Sequence, residues 1–162
     1  MKIQIVDDND SLIAIKDSKS LDKGDIWRIS ALWVKNSRGD ILLARRSYNK
    51  RLDPGKWGPA TAGTLEPDET YESNILKEAK EEIGLDLSKH NFEKLNKTRR
   101  IGEQNYFCQW FKIVLDWDID DFKIDEREVH EIKWFTKEEA LNELKNKPEE
   151  FLHNMENRIK DF

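Results

Sequence analysis

The stretch that decides the reading runs from Gly63 to Leu85, GTLEPDETYESNILKEAKEEIGL. Within it Tyr71, Ile75, Ala79 and Ile83 recur every four residues, which predicts a helix over 70–83 with one buried stripe. Pro67 and Asp68 suit its start, and Gly84 suits a left-handed stop. Glu81 and Glu82 follow Glu78 by three and four positions, so all three carboxylates leave one face, beside the stripe. Like charges at these spacings cost an isolated helix about 0.2–0.5 kcal/mol per pair. A divalent cation offsets that repulsion, and oxygen-only ligation suits Mg²⁺ or Mn²⁺. Gly63 has no side chain to keep a backbone carbonyl away from the same cation. Glu69 meets the positive end of the helix dipole. A plainer reading stays open on the helix alone. Lys77 lies four positions before Glu81 and Lys80 stands among the acids, so a solvated face needs no metal.

Outward from this helix the chain reads as strands on both sides. Upstream, Ile3 and Ile5 alternate with polar residues, Asp8-Asn9-Asp10 makes a turn, and Leu12 to Ile15 reads as a second strand, giving an N-terminal hairpin. Ile26 to Val34 reads as a core strand, with Ile41 to Ala44 its expected hairpin partner after the turn at 36–40. Arg45 to Trp57, with Asp53-Pro54-Gly55, is expected to be irregular. Downstream, Asn105 to Trp117 and Val129 to Phe135 are aromatic and β-branched, hence strands. Thr136 to Glu139 opens a helix running to about Asn146, closed by Pro148. Phe151, Leu152, Met155 and Ile159 predict a terminal helix. The class is mixed α/β or α+β, in one domain spanning 1–162.

Composition narrows the function classes. The 162 residues include 28 Lys and Arg against 33 Asp and Glu, a net charge of −5, which argues against non-specific nucleic-acid binding. No apolar run reaches the roughly 18–20 residues of a membrane span. MKIQIVDDND does not read as a secretory signal, so a cytoplasmic location is expected. A single cysteine, Cys108, excludes an intramolecular disulfide framework and a cysteine-built zinc site; it reads as an inert core thiol. A homodimer is compatible with the sequence.

Taken whole, the decisive stretch resembles the Nudix box, G-x5-E-x7-R-E-U-x-E-E-x-G-U, where U is aliphatic. Eight of its nine specified positions match, and Lys77 stands where the family has Arg. The flanks ILLARRSYNKRLDPGKWGPATAG and EVHEIKWFTKEEAL extend the resemblance over most of the chain. It implies an α/β/α sandwich with a mixed sheet, to which the N-terminal hairpin is an addition. It also implies a Mg²⁺-dependent hydrolase, with Mn²⁺ a substitute, that cleaves a diphosphate linkage in a small molecule, a nucleotide above all. Glu78, Glu81 and Glu82 are then the metal-binding acids, with the Gly63 carbonyl a further ligand. Glu69 would pair with Lys77, a point charge in place of a planar fork, to hold loop and helix together.

Further site residues lie outside the box. Glu128, ahead of the 129–135 strand, is the first candidate for an additional ligand or general base, and Glu103 the second. Arg45, Arg46 and Lys50 are candidate substrate-binding cations; strand alternation lets only one of the two arginines face the cleft. Trp57 reads as a loop anchor, and Trp27, Trp33, Trp110 and Trp134 as core. Two other functions remain. The flanks resemble most closely the isopentenyl diphosphate isomerase branch, which needs a Cys before the box Gly and metal-binding His residues. Here Ala62 stands before Gly63, and His90, His130 and His153 all lie downstream. A non-catalytic nucleotide-binding or regulatory module would carry a damaged acidic cluster, and this cluster is intact.

Overall fold

Strand β3 (Ile26–Lys35) organises the molecule, because its residues are apolar on both faces. In the computed structural model, which describes residues 1–161, Ala31 and Trp33 enter one hydrophobic core and Leu32 and Val34 another. A strand buried on both faces belongs at the centre of a covered sheet. β8 (Tyr106–Val114) runs parallel to it, in register from Trp27 opposite Tyr106 to Lys35 opposite Val114. β7 (Glu93–Arg100) covers the outer edge of β8.

On its other side β3 meets three partners in succession. β1 (Lys2–Val6) pairs near its start, β6 (Thr61–Thr64) along its middle and β4 (Ile41–Arg46) at its end. β2 (Leu12–Asp17) extends the sheet beyond β1, while β5 (Trp57–Gly58) and β9 (Val129–Phe135) extend it beyond β4. β4 holds β3 through only two residue pairs and then diverges with β5 and β9. β6 pairs with β3 alone, so its outer edge is free of strand pairing.

The sheet lies between helices. α1 (Tyr71–Ile83) presses Ile75, Ala79 and Ile83 onto the Leu32, Val34 and Phe111 face. α2 (Lys137–Asn146) and α3 (Met155–Asp161) press Ala140, Leu144, Met155 and Ile159 onto the Ala31, Trp33 and Trp110 face. This is the α/β/α arrangement with an added N-terminal hairpin. No described helix is long and apolar enough to cross a membrane.

Two local readings change, and one strand is not anticipated from the sequence. The 26–34 and 41–44 strands share a turn but little pairing, because β4 takes β9 as its main partner. Phe151 and Leu152 precede the terminal helix: the Leu152 N–H donates to the Trp57 carbonyl at 2.9 Å, and Asn154 adopts φ +63°, so helix begins only at Met155. β7 (EKLNKTRR) carries no apolar alternation; backbone pairing to β8 makes it a strand, and its charges suit an edge.

Candidate active site

The site is set by how α1 begins and ends. Thr70 caps the helix: its hydroxyl accepts from the Ser73 N–H, and the Ser73 hydroxyl accepts from the Thr70 N–H. Gly84 ends it at φ +70°, its N–H donating to the Ala79 carbonyl. With both ends fixed, Glu78 and Glu82 face β6. There Gly63 pairs with Ser30 of β3, and a Cβ on it would overlap the Glu78 side chain. The missing side chain is therefore a requirement of the site.

Two of the three box carboxylates are enclosed. Glu82 is 9% exposed, and its Oε2 accepts from the Thr61 hydroxyl at 2.5 Å. Burial pushes its pKa up despite that bond. Burial and then the neighbouring Glu82 charge push Glu78 up to about 7. Asn74 reaches both Glu69 and Glu78, its amide donating at 2.8 Å and 3.4 Å, while its own oxygen accepts from the Ser30 hydroxyl. Glu81 stands more openly on the cavity wall.

Lys77 binds Glu69 at 2.5 Å and lies 3.6 Å from Glu66 and 3.7 Å from Glu78. Burial works against its charge, but these acids raise its pKa. Glu69 is shifted oppositely: burial is outweighed by Lys77, the Glu66 N–H and Asn74, and the carboxyl stays low. Lys77 thus ties the loop before α1 to the helix.

Sequence reasoning missed a second tie. Gln4 on β1 is 2% exposed, and its amide donates to the Glu66 and Glu69 carbonyls at 2.7 Å and to Pro67 at 3.1 Å. Arg28 fixes the Gln4 oxygen at 2.7 Å. The one local signal is a polar residue between two buried isoleucines, Ile3 and Ile5. The added hairpin therefore clamps the box loop.

A cavity of about 850 Å³ runs past these acids and around the free edge of β6. Arg46 and Lys50 line it, and Arg45 does not. A bulge between Arg45 and Arg46 separates them. Arg45 instead donates to the Gly55 carbonyl at 2.8 Å and pairs with Glu131 and Glu150 at 3.3 Å, bracing the loop over Trp57. The Arg46 guanidinium donates to the Leu52 carbonyl. Lys50 is ion-paired with Glu128, and both line the cavity. Burial lowers the Lys50 pKa against the pull of Glu82. Glu103 lies exposed on a turn, and its neighbour Gln104 reaches the cavity instead. Asp125, which sequence reasoning also missed, lines the cavity and is held to a pKa of about 2 by Arg127.

Among the described residues no three His, Cys, Asp or Glu groups are already drawn to one point as a closed metal site. The donor set is that of an open one. Mg²⁺ characteristically takes one or two carboxylates and completes its octahedron with water and phosphate oxygens. One buried and one half-buried carboxylate over a side-chain-free glycine fit that description.

The sequence profile of the NUDIX domain matches residues 26–155. The chain therefore belongs to the Nudix family, and by class it is a diphosphate hydrolase. It is 31% identical over 121 residues to an uncharacterized Nudix hydrolase of Nostoc sp., covering 73% of this chain and 72% of that one. It is 23% identical over 121 residues to isopentenyl-diphosphate Delta-isomerase 1 of Photorhabdus laumondii, covering 70% and 69%. The crystal structure of DR0079 from Deinococcus radiodurans has the same fold: TM-score 0.87 over 99% of this chain and 98% of that one, at 18% identity.

Proposed function

We propose that this chain is a metal-dependent hydrolase that cleaves a diphosphate linkage in a nucleoside diphosphate derivative or a nucleoside di- or triphosphate. The observation that carries the reading is the enclosed Glu78–Glu82 pair over Gly63, in a cavity that also presents Arg46 and Lys50. Glu78 and Glu82, with Glu81 at the rim and the Gly63 carbonyl, would hold Mg²⁺ or Mn²⁺. When bound, the cation polarises phosphoryl oxygens and lowers the pKa of water.

The chain's own groups do the rest. Arg46 and Lys50 bind phosphate oxygens of the substrate and neutralise charge that grows on the leaving group. Glu128 takes the proton of the attacking water. A new oxygen–phosphorus bond forms, the bridging bond breaks, and its electron pair leaves with the departing phosphate. Lys77 and Glu69 position the helix and touch none of the reacting atoms.

The isomerase reading lacks its agents. Ala62 and Thr64 flank Gly63, and the one thiol, Cys108, is 2% exposed with its pKa pushed to about 12 by burial. Such a thiol does not trade protons at neutral pH.

The test is product release from a panel of nucleoside di- and triphosphates, nucleotide sugars, dinucleoside polyphosphates and isopentenyl diphosphate, with Mg²⁺, Mn²⁺ or chelator. Metal-dependent hydrolysis that fails in Glu82→Gln supports the reading. Isomerisation of isopentenyl diphosphate, or ligand binding indifferent to metal and to Glu82→Gln, overturns it in favour of the isomerase or a binding module.

A further inference from the structure

The cavity extends well beyond the carboxylates. β3 separates Gly63 on β6 from Trp110 on β8: Gly63 pairs with Ser30, and Trp110 pairs with the next residue, Ala31. Two strand spacings, about 10 Å, lie between them. Over this distance the wall changes character. Trp27 and Tyr106, half-buried with ring centroids 5.9 Å apart, line it together with Trp110.

Two arginines stand at this end. The Arg158 guanidinium, from α3, lies over the Trp110 ring at 4.1 Å and donates to the Thr98 hydroxyl at 3.3 Å. Arg100, from β7, donates to the Tyr106 hydroxyl at 3.4 Å and lies over that ring at 5.6 Å. Both line the cavity, and among the described residues neither forms a close ion pair with a carboxylate; Asp161 acts on Arg158 only from beyond contact distance. Three other cavity cations differ in this respect: Lys50, Lys77 and Arg127 are paired with Glu128, Glu69 and Asp125, while Arg46 at the acidic end meets the Leu52 carbonyl. Burial pulls the Arg158 pKa down, against a weaker pull from Asp161. A guanidinium has five N–H donors, and Arg158 directs one of its nitrogens at Thr98. A planar cation with unused donors, backed by an indole face, is a ready receptor for phosphate or carboxylate.

We infer that Arg158 and Arg100 form an anion-recognition subsite that selects diphosphates whose remote group carries its own phosphate or carboxylate. The inference rests on the hydrolase reading and deepens it, because it states what the part of the substrate beyond the cleaved bond must carry. Trp27 and Tyr106 offer the surface over which that remote group passes.

Two matched pairs test it: NADH against NADPH, which differ by one phosphate, and UDP-glucose against UDP-glucuronate, which differ by one carboxylate. Each is titrated calorimetrically into the intact chain without metal, and kcat/KM is measured separately with Mg²⁺. The charged member of at least one pair should bind about tenfold or more tightly, the scale of a charge-assisted hydrogen bond. Which pair responds tells phosphate from carboxylate. Arg158→Gln should bring that ratio to within about twofold, and Arg158→Lys should keep part of it. Circular dichroism checks folding, and Arg100→Gln, on a different element, should also cut the ratio if Arg158→Gln does not fold. Equal affinities within both pairs, no measurable binding of any of the four, or a preference that survives the substitutions would overturn the subsite. Metal-dependent turnover without preference would leave the hydrolase standing and remove the subsite. Preference without turnover would uphold the subsite and count against the hydrolase.

Discussion

Gly63 shows how one missing side chain governs where Glu78 can stand. A Cβ at this position would overlap Glu78, so Gly63→Ala must displace the carboxylate that the site is built around. The variant should fold and lose on the order of 10²-fold in kcat, the scale of misplacing a catalytic group by about an ångström; intact circular dichroism with full activity would contradict the assignment. Glu82→Gln should cost on the order of 10²–10⁴ in kcat. It should also raise the melting temperature without metal at pH 8, because burial already disfavours the Glu82 charge and the amide removes it. Glu78 gives the pH dependence. Its pKa rises to about 7 on folding, so between the unfolded carboxyl range and pH 7 the folded chain holds a proton that the unfolded chain has lost. Metal-free stability should therefore fall as pH rises through that window. Mg²⁺ should bind more tightly above pH 7 than at pH 6, measured by calorimetry at both values. Lys77→Arg should be neutral or activating, since a planar fork serves Glu69 at least as well; a collapse in kcat would remove its positioning role.

At the level of elements, the helix and its acids are legible in the sequence alone. The four-residue period, Gly84 and the box spacing are local signals, and local chemistry carries them out: Thr70 and Ser73 cap one end and Gly84 the other. Legibility fails where partners come from far along the chain. Nothing in EKLNKTRR announces β7, because backbone pairing to β8 makes it a strand. Alternation admits one arginine of Arg45 and Arg46 into the cleft, but the bulge that decides between them is a tertiary feature. Gln4 is invisible to sequence reasoning because its three acceptors lie more than sixty residues away. Gln4→Leu leaves those carbonyls without their donor and should cost about 1–3 kcal/mol in urea unfolding, with a fall in kcat as the box loop loosens. The hairpin carries an acid-sensitive tie as well. Burial disfavours the Asp10 charge, but Lys97 and Arg28 hold its carboxyl below the usual range. Its contribution is present above the unfolded carboxyl pKa and is lost as pH falls through the lower folded one, so Asp10→Asn should flatten that part of the stability curve.

Across the whole molecule, the proposed metal-binding acids and the apolar wall around Trp110 belong to different layers. Glu78 and Glu82 grow from α1, whose apolar side seals the Leu32 and Val34 core. Ala31, Trp110 and Met155, which line the cavity beyond them, belong to the opposite core. The proposed reactive centre is thus a seam, and its width depends on the packing of both layers. A methylene removed beneath α1, far from any substrate, can shift one bank of the seam against the other. Ile75→Val, which costs a core about 0.5–1.5 kcal/mol, is the mildest such change. The two cores serve as the calipers of the site, and evolution can retune the jaw by repacking either one without touching a residue that the substrate meets.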